Sequence, residues 1–323
     1  MKSFEETKRD SFLTEAVYQE QIDYWPRSNF FDQEVHAMIA NPNHDRDHRR
    51  RLSWGRCYNS LEHLILRYSA GETIETLQEP AHVMFAEFAR HYSAFPEKKM
   101  FLREQDAYQF ILWLLGLAVL FGQTERVQQI STWFSYKPED GCDPLIAALF
   151  VRMGVADVPR GDGLIHPKPY SYLYDAVRGD PVNPDGSDRV GAIQLYLKNW
   201  YKGMKNCYWY NRHKGQFATH FGYWSFESGL ATILYGLDDS SYREMTFYPK
   251  DLVAYAREKG RATGLVGVPG SILKAFPGDI CPQAGMWYAP HLQGQTVWVS
   301  QGDAMPGSKT NASGNAVIWY LKT

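Results

Sequence analysis

The sequence predicts a mainly α protein: an irregular antiparallel helical bundle carrying a small β-rich module at its C-terminal end. Three observations lead there. Apolar residues recur at alternating spacings of three and four along most of the first 260 positions, the period of amphipathic helices. Short polar joints separate those stretches, so successive helices should return as antiparallel neighbours. After Gly260, glycines at Gly264, Gly267 and Gly270 interrupt the pattern and a two-residue alternation replaces it. No fixed repeat period runs through the chain, which argues against a helical-repeat array. The expected division is a helical module at 1–155, a connector with a second helical module at 156–260, and a β-rich tail at 261–323.

In chain order, Leu13, Val17 and Tyr24 mark the first helix, closed by Pro26, and Phe31, Val35 and Met38 mark the second. The turn Asn41-Pro42-Asn43 leads through the charged run from His44 to Arg51 into a helix bearing Leu61, Leu64, Ile65 and Tyr68, ended or bent at Gly71. Val83, Met84, Phe85 and Phe88 belong to the next helix, before the break at Phe95-Pro96. The stretch from Leu102 to Phe121 reads as the central helix, and its longest apolar run, Phe110 to Phe121, is too short to cross a bilayer. Val127, Ile130, Trp133 and Phe134 follow. Asp143-Pro144 is a strong helix start, an acidic cap before a proline, and predicts a helix through Met153. From Gly154 to Ser187 proline and glycine are dense, which predicts a connector with a short helix around Tyr170 to Val177.

Helix signals, aromatics and acidic turns converge between Asp188 and Glu258. Val190, Ile193, Leu197, Trp200, Met204 and Cys207 form the stripe of one long helix, which His213-Lys214-Gly215 should stop. A second helix is expected from Phe217 to Tyr235, apolar nearly all round, with Glu227 buried in its middle and in need of a partner. A third should begin at Pro249, with Asp251 in its first turn and Gly260 past its end. In the tail, Met286-Trp287-Tyr288, Thr296 to Ser300 and Ala316 to Leu321 are the strand candidates.

Thirty-six acidic against thirty-four basic side chains leave a net charge of -2, which argues against a general nucleic-acid binder held by phosphate electrostatics. Four cysteines, Cys57, Cys142, Cys207 and Cys281, lack any paired spacing, so neither a disulfide framework nor a zinc knuckle is expected. Met1 to Asp10 is charged and without the apolar segment of a secretion signal, so the expected location is the cytoplasm. Two histidine groupings suggest an alternative, a metal-dependent hydrolase. His44 and His48 would share a helix face beside Asp45 and Asp47, but three following arginines oppose a cation and a solvated, mixed-charge helix start is the plainer account. His213, His220 and Glu227 recur at seven-residue spacing, yet Gly215 breaks the helix that would align them, and a satisfied core pair is the plainer account. No catalytic residue, metal ligand or cofactor is assigned.

Four ordered segments, Leu197 to Lys205, Gly222 to Glu227, Asp238 to Arg243 and Tyr248 to Val253, closely resemble the C-terminal module of the PoNi family, over roughly residues 165 to 259. The N-terminal half resembles the family more weakly, through Leu64 to Gly71 and Tyr108 to Phe121. The family comprises immunity proteins that neutralise polymorphic-toxin nucleases in bacteria. The resemblance therefore implies a non-catalytic protein that captures a secreted DNase toxin of a type VI or related contact-dependent system. On that expectation the acidic turns offer carboxylates to a cationic nuclease surface. The candidate partner-binding residues are Asp175, Asp180, Asp185, Asp238, Asp239, Arg243 and Glu244. Aspartates are also the ordinary residues of turns and helix caps, so each has a purely structural reading as well.

Overall fold

A computed structural model describes residues 3–24, 33–137, 141–155, 158–178, 187–262, 274–281, 284–289, 292, 295–300, 302–308, 317 and 319–321. The chain divides into two compact units, Met1–Val268 and Pro269–Thr323.

The first unit is helical. Its helices are α1 (Phe4–Thr7), α2 (Glu15–Tyr24), α3 (Gln33–Ala40), α4 (Arg46–Ser69), α5 (Gln78–Ala94) and α6 (Gln105–Leu120). There follow α7 (Arg126–Ile130), α8 (Pro144–Arg152), α9 (Pro167–Arg178), α10 (Ser187–Gly203), α11 (Phe226–Tyr235) and α12 (Lys250–Ala262). The fold is mainly α, as its periodicity predicts. α6 is its axis, since every residue from Ala107 to Leu120 is buried. α4 packs on α5, α9 on α10, and α6 on both α11 and α12. Gly116 makes the α6–α11 contact possible: a Cβ there would lie 2.8 Å from the Phe226 carbonyl oxygen, so only a bare backbone fits. One hydrophobic cluster runs from Leu13 to Val253, joining both halves of the unit in a single core.

Several starts and stops obey local chemistry. Asp143 caps α8 by accepting from the amides of Leu145 and Ile146, with Pro144 in the first turn. Asp45 caps α4 through the His48 amide. Three boundaries depart from expectation. α10 stops at Gly203, whose α-carbon approaches Pro169 so closely that a Cβ would lie 3.0 Å from it. Met204 to Tyr210 form turns, followed by one 3-10 turn at Arg212–Lys214. The helix expected from Phe217 begins only at Phe226, because residues 219–225 run without helix and are held by remote side chains. Phe217 is consequently exposed, and Glu227 lies in the first turn of α11, not mid-helix. α12 continues through Gly260 to Ala262.

The second unit is a four-stranded antiparallel sheet in the order β1-β4-β2-β3, from β1 (Lys274–Ala275), β2 (Gly285–Ala289), β3 (Gln295–Val299) and β4 (Trp319–Leu321). β1 has no sequence signature strong enough to be anticipated. Ala316 and the glycines from Gly264 to Gly270 lie outside the described residues. Trp287, Trp319, Cys281, Met305 and Val299 fill a small core of its own. Two similar tetrapeptides, Gly278-Asp279-Ile280-Cys281 and Gly302-Asp303-Ala304-Met305, face each other antiparallel. Gly278 donates to the Met305 carbonyl (2.8 Å) and Met305 to that of Asp279 (2.8 Å). Cys281 donates to the carbonyl of Asp303 (2.7 Å) and Gly302 to that of Cys281 (3.0 Å). Among the described residues no helix is long and apolar enough to cross a membrane.

Candidate functional site

α11 ends at Gly236 in the left-handed conformation, and the Leu237 amide returns to the Thr232 carbonyl, which turns the chain sharply into Asp238 and Asp239. The two neighbours then part. Asp238 is exposed, and its carboxylate accepts from the amide and hydroxyl of Ser240, both at 3.0 Å, which lowers its pKa. Asp239 is 4% exposed and accepts from Arg257 Nη1 (2.7 Å), the Tyr248 hydroxyl (3.0 Å) and Arg243 Nη1 (3.2 Å). Arg257 also donates to the Leu237 carbonyl (2.7 Å), so this carboxylate ties the turn to α12. Arg243 remains half-exposed over that anchor, and Glu244, exposed, pairs with Lys250. Asp175, on α9, pairs with Arg178 one turn later at 2.8 Å. Asp180 and Asp185 lie outside the described residues. The structure thus brings Asp238, Asp239, Arg243 and Glu244 into one turn.

The histidine groupings come apart. His44 precedes α4, its amide donating to the Asn41 carbonyl, so it shares no helix face with His48. His213 and His220 do meet, with ring centres 5.9 Å apart, but through the turns of 204–225 and not along a helix. Burial, then neighbouring His220, lowers the His213 pKa. His220 Nε2 lies 3.2 Å from Asp10, whose same oxygen accepts the Tyr223 amide (2.8 Å). Glu227 belongs to a different network. Its carboxylate is fully buried and accepts from Trp200 Nε1 (2.6 Å), the Tyr196 hydroxyl (2.7 Å), the Ser225 hydroxyl (3.1 Å) and Gln109 Nε2 (3.3 Å). Burial raises its pKa, and the surrounding donors oppose that rise. So closed a set of donors holds a core together and leaves no lone pair facing solvent. Cys207 is buried as well, and burial pushes its thiol up, away from the thiolate a nucleophile needs.

Sequence reasoning missed Asp10, which was legible only as one more charge in a polar N-terminus. Its importance arises from residues 219–225, whose polar backbone must find partners once no helix supplies them. Gln21 donates to the His220 carbonyl, Ser69 Oγ to the Phe221 carbonyl (2.9 Å), and Trp113 Nε1 to the Trp224 carbonyl (3.0 Å). Gly222, at φ 129, lies in a backbone region that side chains avoid.

The crystal structure of protein PA2201 from Pseudomonas aeruginosa is similar in fold, with a TM-score of 0.57 at 20% identity, covering 79% of this chain and 92% of that one. No curated protein matches the chain. The N-terminal model of the PoNe immunity proteins (PoNi) matches residues 9–132, and the C-terminal model matches residues 141–252. Their junction falls between α7 and α8, and both parts contribute to the one helical core. The chain belongs to the family of PoNe immunity proteins.

Proposed function

We propose that this protein binds and neutralises a cognate DNase toxin by stoichiometric association, in the cytoplasm of the cell that makes it. The observation that carries this reading is the match of both PoNi modules in order along the helical unit. Protection works by capture, without catalysis on the toxin. A folded body with one continuous core presents a surface that needs little rearrangement on binding. The exposed carboxylates of Asp238 and Glu244, with Asp175 and the aspartates at Asp180 and Asp185, steer a surface that is cationic because it grips phosphate. Asp239 acts from below, by fixing the turn and the Arg243 guanidinium above it. The toxin is one delivered by a type VI or similar contact-dependent system.

The test is titration of the purified protein into a DNA-cleavage assay of the nuclease domain encoded beside it, with complex formation followed in parallel. Loss of cleavage at about one equivalent is the expected result for capture with a Kd well below the assay concentration. Undiminished cleavage without a complex would remove this reading.

A further inference from the structure

A groove of about 570 Å³ opens between α4, the α5–α6 joint and the turns after α10, and none of the acidic-turn residues lines it. That volume lies within the range of about 300–1,000 Å³ typical of ligand pockets. Its walls are aromatic: Trp54, Tyr58, Phe101, Phe110 and Tyr208. The Phe110 ring centre lies 6.0 Å from that of Trp54 and 5.7 Å from that of Tyr208, so the three rings form one continuous surface. Four cationic side chains, Arg50, Lys98, Lys99 and Arg212, line the same groove against two carboxylates, Glu104 and Asp106.

The cations differ in their commitments. Arg212 bonds both oxygens of the buried Glu62 (3.1 and 3.2 Å) and lies over the Tyr208 ring, so it is held rigidly. The backbone just before it is unusual. Asn211, at φ 63, is the one non-glycine in the left-handed region among the described residues, and its side chain accepts from the Tyr201 hydroxyl (2.8 Å). Arg50 reaches only exposed Asp47, at 3.3 Å, and Lys98 makes no ion pair among the described residues. One Asp106 oxygen accepts the Tyr208 amide (3.0 Å), so that carboxylate is partly committed to the fold. At the floor, burial and then the nearby Arg50 charge push His91 down to about 4, so it stays neutral and adds no charge of its own.

We propose that this groove is a second contact site for the toxin, receiving a loop that carries a carboxylate beside an apolar side chain. The proposal rests on the reading of the protein as a toxin binder. The aromatic walls take the apolar body, and the carboxylate goes to Lys98 and Lys99, which make no ion pair among the described residues. Glu104 and Asp106 disfavour a continuous phosphate backbone, which leaves a protein segment as the occupant.

The test measures Kd for the neighbouring nuclease domain with wild type, Lys98→Glu, and the double variant Arg50→Glu with Lys98→Glu. A short DNA duplex is titrated as a parallel probe, and thermal midpoints are compared. The double variant should bind the nuclease domain at least tenfold more weakly, and Lys98→Glu several-fold more weakly, both with wild-type midpoints. Lys98 is exposed, so the single variant keeps the test decisive even where the double variant loses stability. Unchanged Kd in folded Lys98→Glu, with wild type binding tightly, would overturn the groove and leave the proposed function standing. Duplex bound by wild type and lost in the double variant would assign the groove to nucleic acid and overturn it too. A wild-type chain that forms no complex would remove the proposed function and this site together.

Discussion

The polar interior of the helical unit and the acidic turn after α11 are made of the same residue types and behave oppositely. Glu227, Asp10 and Asp239 are buried and each is held by several donors, distant in sequence for Glu227 and Asp10 and up to 18 positions away for Asp239. Asp238 and Glu244 are exposed, and their hydrogen-bond partners among the described residues lie within six positions. The difference teaches that a carboxylate's role follows from how many donors surround it and whether water reaches it. Neighbours in sequence can therefore fall on opposite sides, as Asp238 and Asp239 do.

The sharpest way to break that contrast is Glu227→Ala. It would leave Tyr196, Trp200 and Gln109 donors buried without an acceptor, and the expected loss is about 3 kcal/mol in denaturant unfolding. A loss near zero would mean that water already serves that pocket. Next, Asp239→Asn should lower stability by about 2 kcal/mol, because Arg257 and Tyr248 lose a charged acceptor. Asp238→Asn should leave the unfolding midpoint where it is, and equal effects from the two variants would erase the distinction.

A pH series sharpens the comparison from another side. Burial depresses the pKa of His63 and of His91, each from 6.5 to about 4. Between those values the unfolded chain takes up protons that the folded chain refuses. The stabilising contribution is therefore present above pH 6.5 and lost as pH falls towards about 4. The expected acid loss is on the order of 3 kcal/mol per histidine, and His91→Gln should flatten its share of the slope. An unaltered slope in that variant would place the acid sensitivity elsewhere. The smallest effect concerns the surface: Asp238→Lys with Glu244→Lys should slow association with the nuclease domain about three- to tenfold at low salt and flatten its salt dependence. Unchanged kinetics would take the turn out of the interface.

Much of the helical order was legible because local signals sufficed. The Asp143-Pro144 start of α8 and the apolar run of α6 depend on residues a few positions apart. A break between α10 and α11 was legible in His213-Lys214-Gly215, but its length was not, since Phe217 to Tyr235 carries a good helical period. The period loses to the partners that Asp10, Gln21, Ser69 and Trp113 offer the backbone of residues 219–225, and those partners lie more than 100 residues away in sequence. The same limit applies to the candidate site. Turn chemistry marks Asp238 and Asp239 as a pair, but only the positions of Tyr248 and Arg257 reveal which one faces inward.

The bond from the Tyr223 amide to Asp10 spans 213 positions, and Arg9 reaches Asp251 across 242. The segment at Arg9 and Asp10 is thus made well before the partners that hold it. At roughly 5–20 residues per second, its partners arrive about 10–50 s after it does. During synthesis the N-terminal module exists without these bonds until the chain has passed Tyr223 and Asp251. A cell relying on this protein is shielded by the copies it has already finished, so the standing pool, more than the rate of fresh synthesis, sets how sudden a challenge it can meet.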